Sequence, residues 1–334
     1  MSSLNYKFMK KILFALAVIA IIGFGAAILL NYSPKIDVES EKILVVTTLF
    51  PQYDFAKEIG GDKVDVLLLL PPGVEPHAYE PKPSDIAKIN NAEIFIYTGE
   101  FMEPWAHDII KSINKKVKIV NASIGVEIMQ EYNHDYYHKH DHEEADNHED
   151  NHDHNYSGVD PHIWLDFANA QIMAENIVKA FLEVDPQNAQ YYQDNFDRYK
   201  SKFIELDNVY KNTIAFCESK KIIYGGHYAF GYLTKRYGLK YVSARGFSPD
   251  SEPTAKEMID LVKQIRQENI SHIFYEELTS PKVAETLANE TNAELLLLNN
   301  GENLTKEDYE AGETFISIME KNLKNISLGL DCSK

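Results

Sequence analysis

The chain has 334 residues, of which 44% are hydrophobic and 25% charged, so it is long enough for two domains and a sizeable core. Acidic side chains outnumber basic ones by 51 to 33, giving a formal net charge of −18. That balance argues against a nucleic-acid partner, since phosphate contacts need clustered Lys and Arg, and it suits cations.

Residues 1–40 have the order of a membrane-targeting segment. Lys7, Lys10 and Lys11 precede "ILFALAVIAIIGFGAAILL", an uncharged stretch at 12–30. As a helix it would reach about 28 Å, close to the hydrocarbon thickness of a bilayer. It reads as an uncleaved anchor with the lysines inside, or as a cleaved export signal. Both readings place the rest of the chain outside the cytoplasm, tethered to the membrane in the first case and secreted or periplasmic in the second. No cysteine follows the segment to carry a lipid.

From residue 41 to 184, short apolar runs alternate with helical stretches. "KILVVTTLF" at 42–50 predicts a buried strand, and "YDFAKEIGG" a helix ended by glycine. "KVDVLLLLPPG" at 63–73 predicts a strand stopped by prolines, and "PSDIAKINN" a helix. "EIFIYTG" (93–99) and "KVKIVNA" (116–122) predict two more strands. This β–α order implies an α/β lobe with a mostly parallel sheet flanked by helices.

The lobe is interrupted at 131–157. The run "HDYYHKHDHEEADNHEDNHDH" (134–154) holds seven of the chain's twelve histidines, His134, His138, His140, His142, His148, His152 and His154. It has no apolar period and predicts a disordered loop. Imidazoles and carboxylates both bind metal, but ordering a flexible segment costs about 1–2 kcal/mol per residue, so the run is expected to be an accessory, low-affinity metal site.

Residues 185–218 predict one long helix. Tyr192, Phe196, Tyr199, Phe203, Leu206, Tyr210 and Ile214 recur at intervals of three and four, marking a single apolar face. Its three tyrosines suggest a partly buried face, and its length suggests a spine between two lobes. A second α/β lobe is expected over 219–334, with strands at 221–226, 239–247, 271–277 and 293–300. Cys217 and Cys332, the two cysteines, could pair or remain free, and their spacing is not that of a metal site.

Outside the run, five histidines remain. His107 on a helix and His272 at a strand start read as ordinary structural residues. His77 follows a strand, His227 follows "KIIYGG", and His162 sits in "DPHIWLD" where the acidic loop returns to the fold. Glu302 lies in the loop after the last strand. Ligands of open α/β sheets bind beyond the carboxyl ends of the strands, so these four are the candidate metal ligands.

"PPGVEPHAYEPKPSD", "DPHIWLD", "GGHYAFGYL", "GFSPDSEPT" and "LNNGENLT" together resemble the metal-capturing solute-binding proteins of ABC transporters, in particular their high-affinity zinc-uptake branch. The resemblance spans roughly residues 42–328. It implies two lobes joined by one rigid helix, ligands at His77, His162 and His227, and a fourth ligand after the last strand. Many relatives have Leu-Asp-Pro there. This chain has Leu298-Asn299-Asn300 and fits a second form whose glutamate binds, which points to Glu302. Gly301 is expected to loosen that loop and leave Glu302 mobile.

Three imidazoles and a carboxylate suit a four-coordinate Zn²⁺, here as transported ligand and not as cofactor of an enzyme. The expected partner is a membrane ABC permease, and a monomer is expected. A manganese-uptake or adhesin-type relative is the alternative. A zinc hydrolase ranks below both, because Glu302 would close the coordination site and neither HExxH nor a nucleophile elbow is present.

Overall fold

The computed structural model describes residues 42–130, 158–247 and 251–332. The expected anchor at 12–30 and the histidine run at 134–154 lie outside them. Among the described residues, no helix is long and apolar enough to cross a membrane.

The first sheet contains β1 (Ile43–Thr47), β2 (Val64–Leu68), β3 (Ile94–Tyr97) and β4 (Lys118–Asn121). All pairs are parallel, in the order β2-β1-β3-β4. The inner strands β1 and β3 are buried almost throughout and read as apolar runs, whereas Asp65 of the edge strand β2 is exposed. Alternate residues serve different cores. Val45, Ile94 and Ile96 face an inner cluster, while Val46, Phe95 and Tyr97 face an outer one. The helices α1 (Phe50–Gly60), α2 (Pro83–Asn91), α3 (Ala106–Ser112) and α4 (Phe167–Val184) cover the two faces.

The second sheet repeats the plan, in the order β6-β5-β7-β8, again all parallel. Its strands are β5 (Lys221–Tyr224), β6 (Lys240–Ser243), β7 (His272–Tyr275) and β8 (Glu294–Leu297). Between the sheets runs the long helix α5 (Ala189–Ala215), 27 residues or about 40 Å. The remaining helices are α6 (Gly231–Tyr237), α7 (Ala255–Gln267), α8 (Lys282–Thr291), α9 (Lys306–Ala311) and α10 (Phe315–Gly329). One continuous apolar cluster joins the inner face of the first sheet, α5, and Ile222, Tyr224 and Phe274 of the second.

The apolar face of α5 is fully buried, not partly as its tyrosines suggested. Each hydroxyl has an internal acceptor, so burial costs little. Tyr192 donates to Asp185 Oδ2 at 2.7 Å, Tyr199 to Asp54 Oδ2 at 2.7 Å and Tyr210 to the Met319 carbonyl at 2.5 Å. Asp54, whose Oδ2 also accepts from the Phe315 N–H at 3.1 Å, thereby fastens α1 to the spine and to the start of α10. Cys217 and Cys332 are joined in a disulfide that ties the end of α5 to the segment following α10.

Candidate metal centre

Four loops at the carboxyl ends of strands supply the centre. β2 runs into the proline-rich loop carrying His77. Glu75 folds back under it, accepting from the His77 N–H at 3.0 Å and the Ala78 N–H at 2.9 Å. His162 stands at the start of a short 3-10 turn, Ile163–Leu165. His227 follows β5 after Gly225 and Gly226, and Glu302 follows β8.

These four residues, separated by up to 225 positions, each place one ligand atom within 4.8 Å of the other three. His162 and His227 are wholly buried, Glu302 is 2% exposed, and the His77 side chain is 19% exposed. Glu302 Oε1 lies 2.6 Å from His162 Nε2 and 3.3 Å from both His77 Nε2 and His227 Nε2. The Nε2 atoms of His162 and His227 are 3.1 Å apart. His107 and His272 stay elsewhere, 3.5 Å from Glu100 and 3.8 Å from Glu294 respectively.

Outward from the cavity, the sequence reading missed two buried carboxylates. His162 Nδ1–H donates to Asp160 Oδ1 at 2.7 Å, and the same oxygen accepts the His162 backbone N–H at 3.0 Å. His227 Nδ1 lies 2.8 Å from Glu276 Oε1, ion-pair distance although off the hydrogen-bond direction. Both had a legible signal. Asp160 opens the "DPH" triplet, and Glu276 follows β7 at a strand end like those that located the histidines.

Electrostatics follow from this crowding. Burial disfavours imidazolium at His162, but the Glu302 charge and the Asp160 hydrogen bond outweigh it and raise its pKa. Burial opposes protonation of His227 as well, yet Glu302 and Glu276 push it up to about 10. Burial works against ionised Glu302, and the three surrounding imidazoles nevertheless hold its carboxyl well below the usual range.

The Glu302 loop is held, contrary to the looseness expected of Gly301. Gly301 adopts φ +68°, a left-handed turn that suits glycine, and its N–H donates to Asn299 Oδ1 at 2.7 Å. The Glu302 N–H donates to Asn300 Oδ1 at 3.1 Å, and its carbonyl accepts from Phe50 N–H at 3.1 Å, at the open start of α1. Trp164 Nε1 donates to the Asn300 carbonyl at 2.8 Å, linking the His162 turn to the same loop. Asn303 Nδ2 donates to the carbonyls of Pro71 and Val74, both at 2.8 Å, which adds the His77 loop.

Comparison with known proteins identifies the family. The family model described as ZnuA, zinc-uptake complex component A, periplasmic, matches residues 45–329. The high-affinity zinc uptake system protein ZnuA of Bacillus subtilis is 43% identical over 290 residues, 86% of this chain and 87% of that protein. The zinc-binding protein AdcA of Streptococcus pyogenes serotype M18 is 36% identical over 87% of this chain, which spans only 56% of AdcA. The crystal structure of the Zn(II)-bound ZnuA-like domain of Streptococcus pneumoniae AdcA superposes with a TM-score of 0.71 at 34% identity, covering 87% of this chain and 99% of that one. These relatives are zinc-binding transport components and not enzymes, so the hydrolase reading is set aside.

Proposed function

Because the chain belongs to the zinc-uptake complex component A family, we propose that it captures one Zn²⁺ between its lobes, outside the cytoplasm, and delivers it to an ABC-type permease. His77, His162, His227 and Glu302 are the ligands in this reading. The supporting observation is metric. A regular tetrahedron with ligand bonds of about 2.05 Å has edges of about 3.3 Å. Three of the interatomic distances, 3.1, 3.3 and 3.3 Å, already stand near that value, the 2.6 Å between His162 and Glu302 must open, and all four ligand atoms lie within 4.8 Å of one another.

The histidines at 134–154 serve in this reading as weak collectors that raise the zinc concentration near His162. The N-terminal segment tethers a monomer to the membrane.

Metal analysis of the purified full chain tests the proposal. One tightly held zinc per chain is expected, retained when residues 134–154 are deleted and lost in His162→Ala and His227→Ala. Zinc that disappears with the deletion and survives both substitutions would refute it. Competition with Mn²⁺ on the deletion variant decides between zinc and manganese.

A further inference from the structure

We propose that Asp160 and Glu276 are positioning residues of the metal site, each fixing one buried imidazole with its Nε2 lone pair towards the cavity. The assignment rests on the zinc-uptake reading above and adds to its four ligands.

A neutral histidine has two tautomers, and only one presents Nε2 as a ligand. An ionised carboxylate accepts and never donates, so a carboxylate against Nδ1 selects the Nδ1–H form. Asp160 Oδ1 meets His162 Nδ1 at 2.7 Å and also pins the His162 backbone N–H, so ring and main chain turn together. Its other oxygen, Oδ2, is buried without a hydrogen-bond partner. A buried carboxylate that makes so little use of its second oxygen is costly for structure alone.

Glu276 acts on two ligands. Its Oε1 stands 2.8 Å from His227 Nδ1, an ion-pair contact off the hydrogen-bond direction, and its Oε2 accepts the His227 N–H at 3.3 Å, so its hold on this ring is through charge and the main chain. Oε1 also accepts from Asn300 Nδ2 at 3.4 Å, and Asn300 in turn accepts the Glu302 N–H. Thr279 Oγ1 holds the Oε2 side at 3.1 Å.

Two glycines independently mark these seats. A Cβ on Gly231 would fall 2.4 Å from Asp160 Oδ2, and one on Gly226 2.6 Å from Glu276 Oε2. Neither glycine has the positive φ that would itself demand glycine; at Gly231 the carboxylate oxygen is the nearest obstacle, and at Gly226 it shares that place with Tyr224 Cε1, also at 2.6 Å. Among the described residues, His77 has no such partner at Nδ1 and is the unbraced member of the set.

The test measures Zn²⁺ affinity of the full-length chain by chelator competition, together with the absorption spectrum of the Co²⁺-loaded form. Asp160→Ala and Glu276→Ala are expected to lose about 10–100-fold in affinity, with altered Co²⁺ bands and an unchanged zinc stoichiometry. Asp160→Asn and Glu276→Gln keep an acceptor and are expected to recover most of the loss. A merely structural role would lower the melting temperature without moving the Co²⁺ spectrum. Should the alanine variants fail to fold, Gly231→Ala and Gly226→Ala displace the same carboxylates and are expected to weaken Zn²⁺ several-fold. Wild-type affinity in whichever set folds, or no recovery by Asn and Gln, overturns the proposal. A wild-type chain that takes up no zinc refutes the uptake reading itself.

Discussion

His162 Nε2 and His227 Nε2 face each other at 3.1 Å across the junction of the two lobes, each with a carboxylate behind its ring. Two bare lone pairs at that distance repel, so the metal-free centre favours protons that zinc must displace. Apparent zinc affinity should therefore fall as pH drops, and calorimetry in buffers of differing ionisation enthalpy should show proton release on binding. Affinity independent of pH between about 6 and 8 would contradict this.

The same protons act on stability with a definite sign. The folded pKa of His227, about 10, lies above its unfolded value of about 6.5. Its contribution to the metal-free protein is then complete below about pH 6.5 and fades as pH rises towards 10. Thermal melts of the chelator-treated protein should show a falling midpoint over that window, and saturating zinc should remove most of the dependence.

Arg236 on α6 clamps three elements. Its guanidinium donates to Asp207 on the spine through Nε and Nη2, both at 2.8 Å, and to Asp166, the cap of α4, through Nη1 at 2.8 Å. Burial would raise the Asp207 carboxyl, but Arg236 and Lys211 hold it down at about 2. Since that folded pKa is depressed, its stabilisation is present above the unfolded value near 3.9 and lost as pH falls towards 2. Arg236→Gln should cost about 2 kcal/mol in urea denaturation at neutral pH, discounted for partial exposure, while one zinc still binds.

The disulfide between Cys217 and Cys332 closes a loop of 115 residues. On the chain-entropy account such a loop is worth about 4–5 kcal/mol. The double serine variant should lose stability on that order by chemical denaturation and keep its zinc, because neither cysteine belongs to the four-residue centre.

Gly301→Ala isolates backbone strain from crowding. The nearest atom to an added Cβ would be Met319 Cε at 3.6 Å, ordinary contact, so the cost is the φ of +68° alone. About 1 kcal/mol of stability is expected, with zinc affinity reduced less than about tenfold. Asn in place of Gly301 should be better tolerated than Ala, and a reversed order would show that the turn is not what glycine serves.

Local pattern determined much of this protein. Apolar runs ending in Pro or Gly announced the strands, the three-and-four spacing announced α5, and the loops after strands singled out His77, His162, His227 and Glu302. Those signals are legible because strand and helix periods are written in neighbouring residues. Tertiary structure alone decided the rest. Whether Tyr199 and Tyr210 are buried depends on their acceptors, Asp54 and the Met319 carbonyl, far away in the chain. Whether Cys217 meets Cys332, or Asp160 finds an imidazole beside Gly231, depends on how two sheets dock against one helix. Such pairings follow from the packing of surfaces, which no short window of sequence contains.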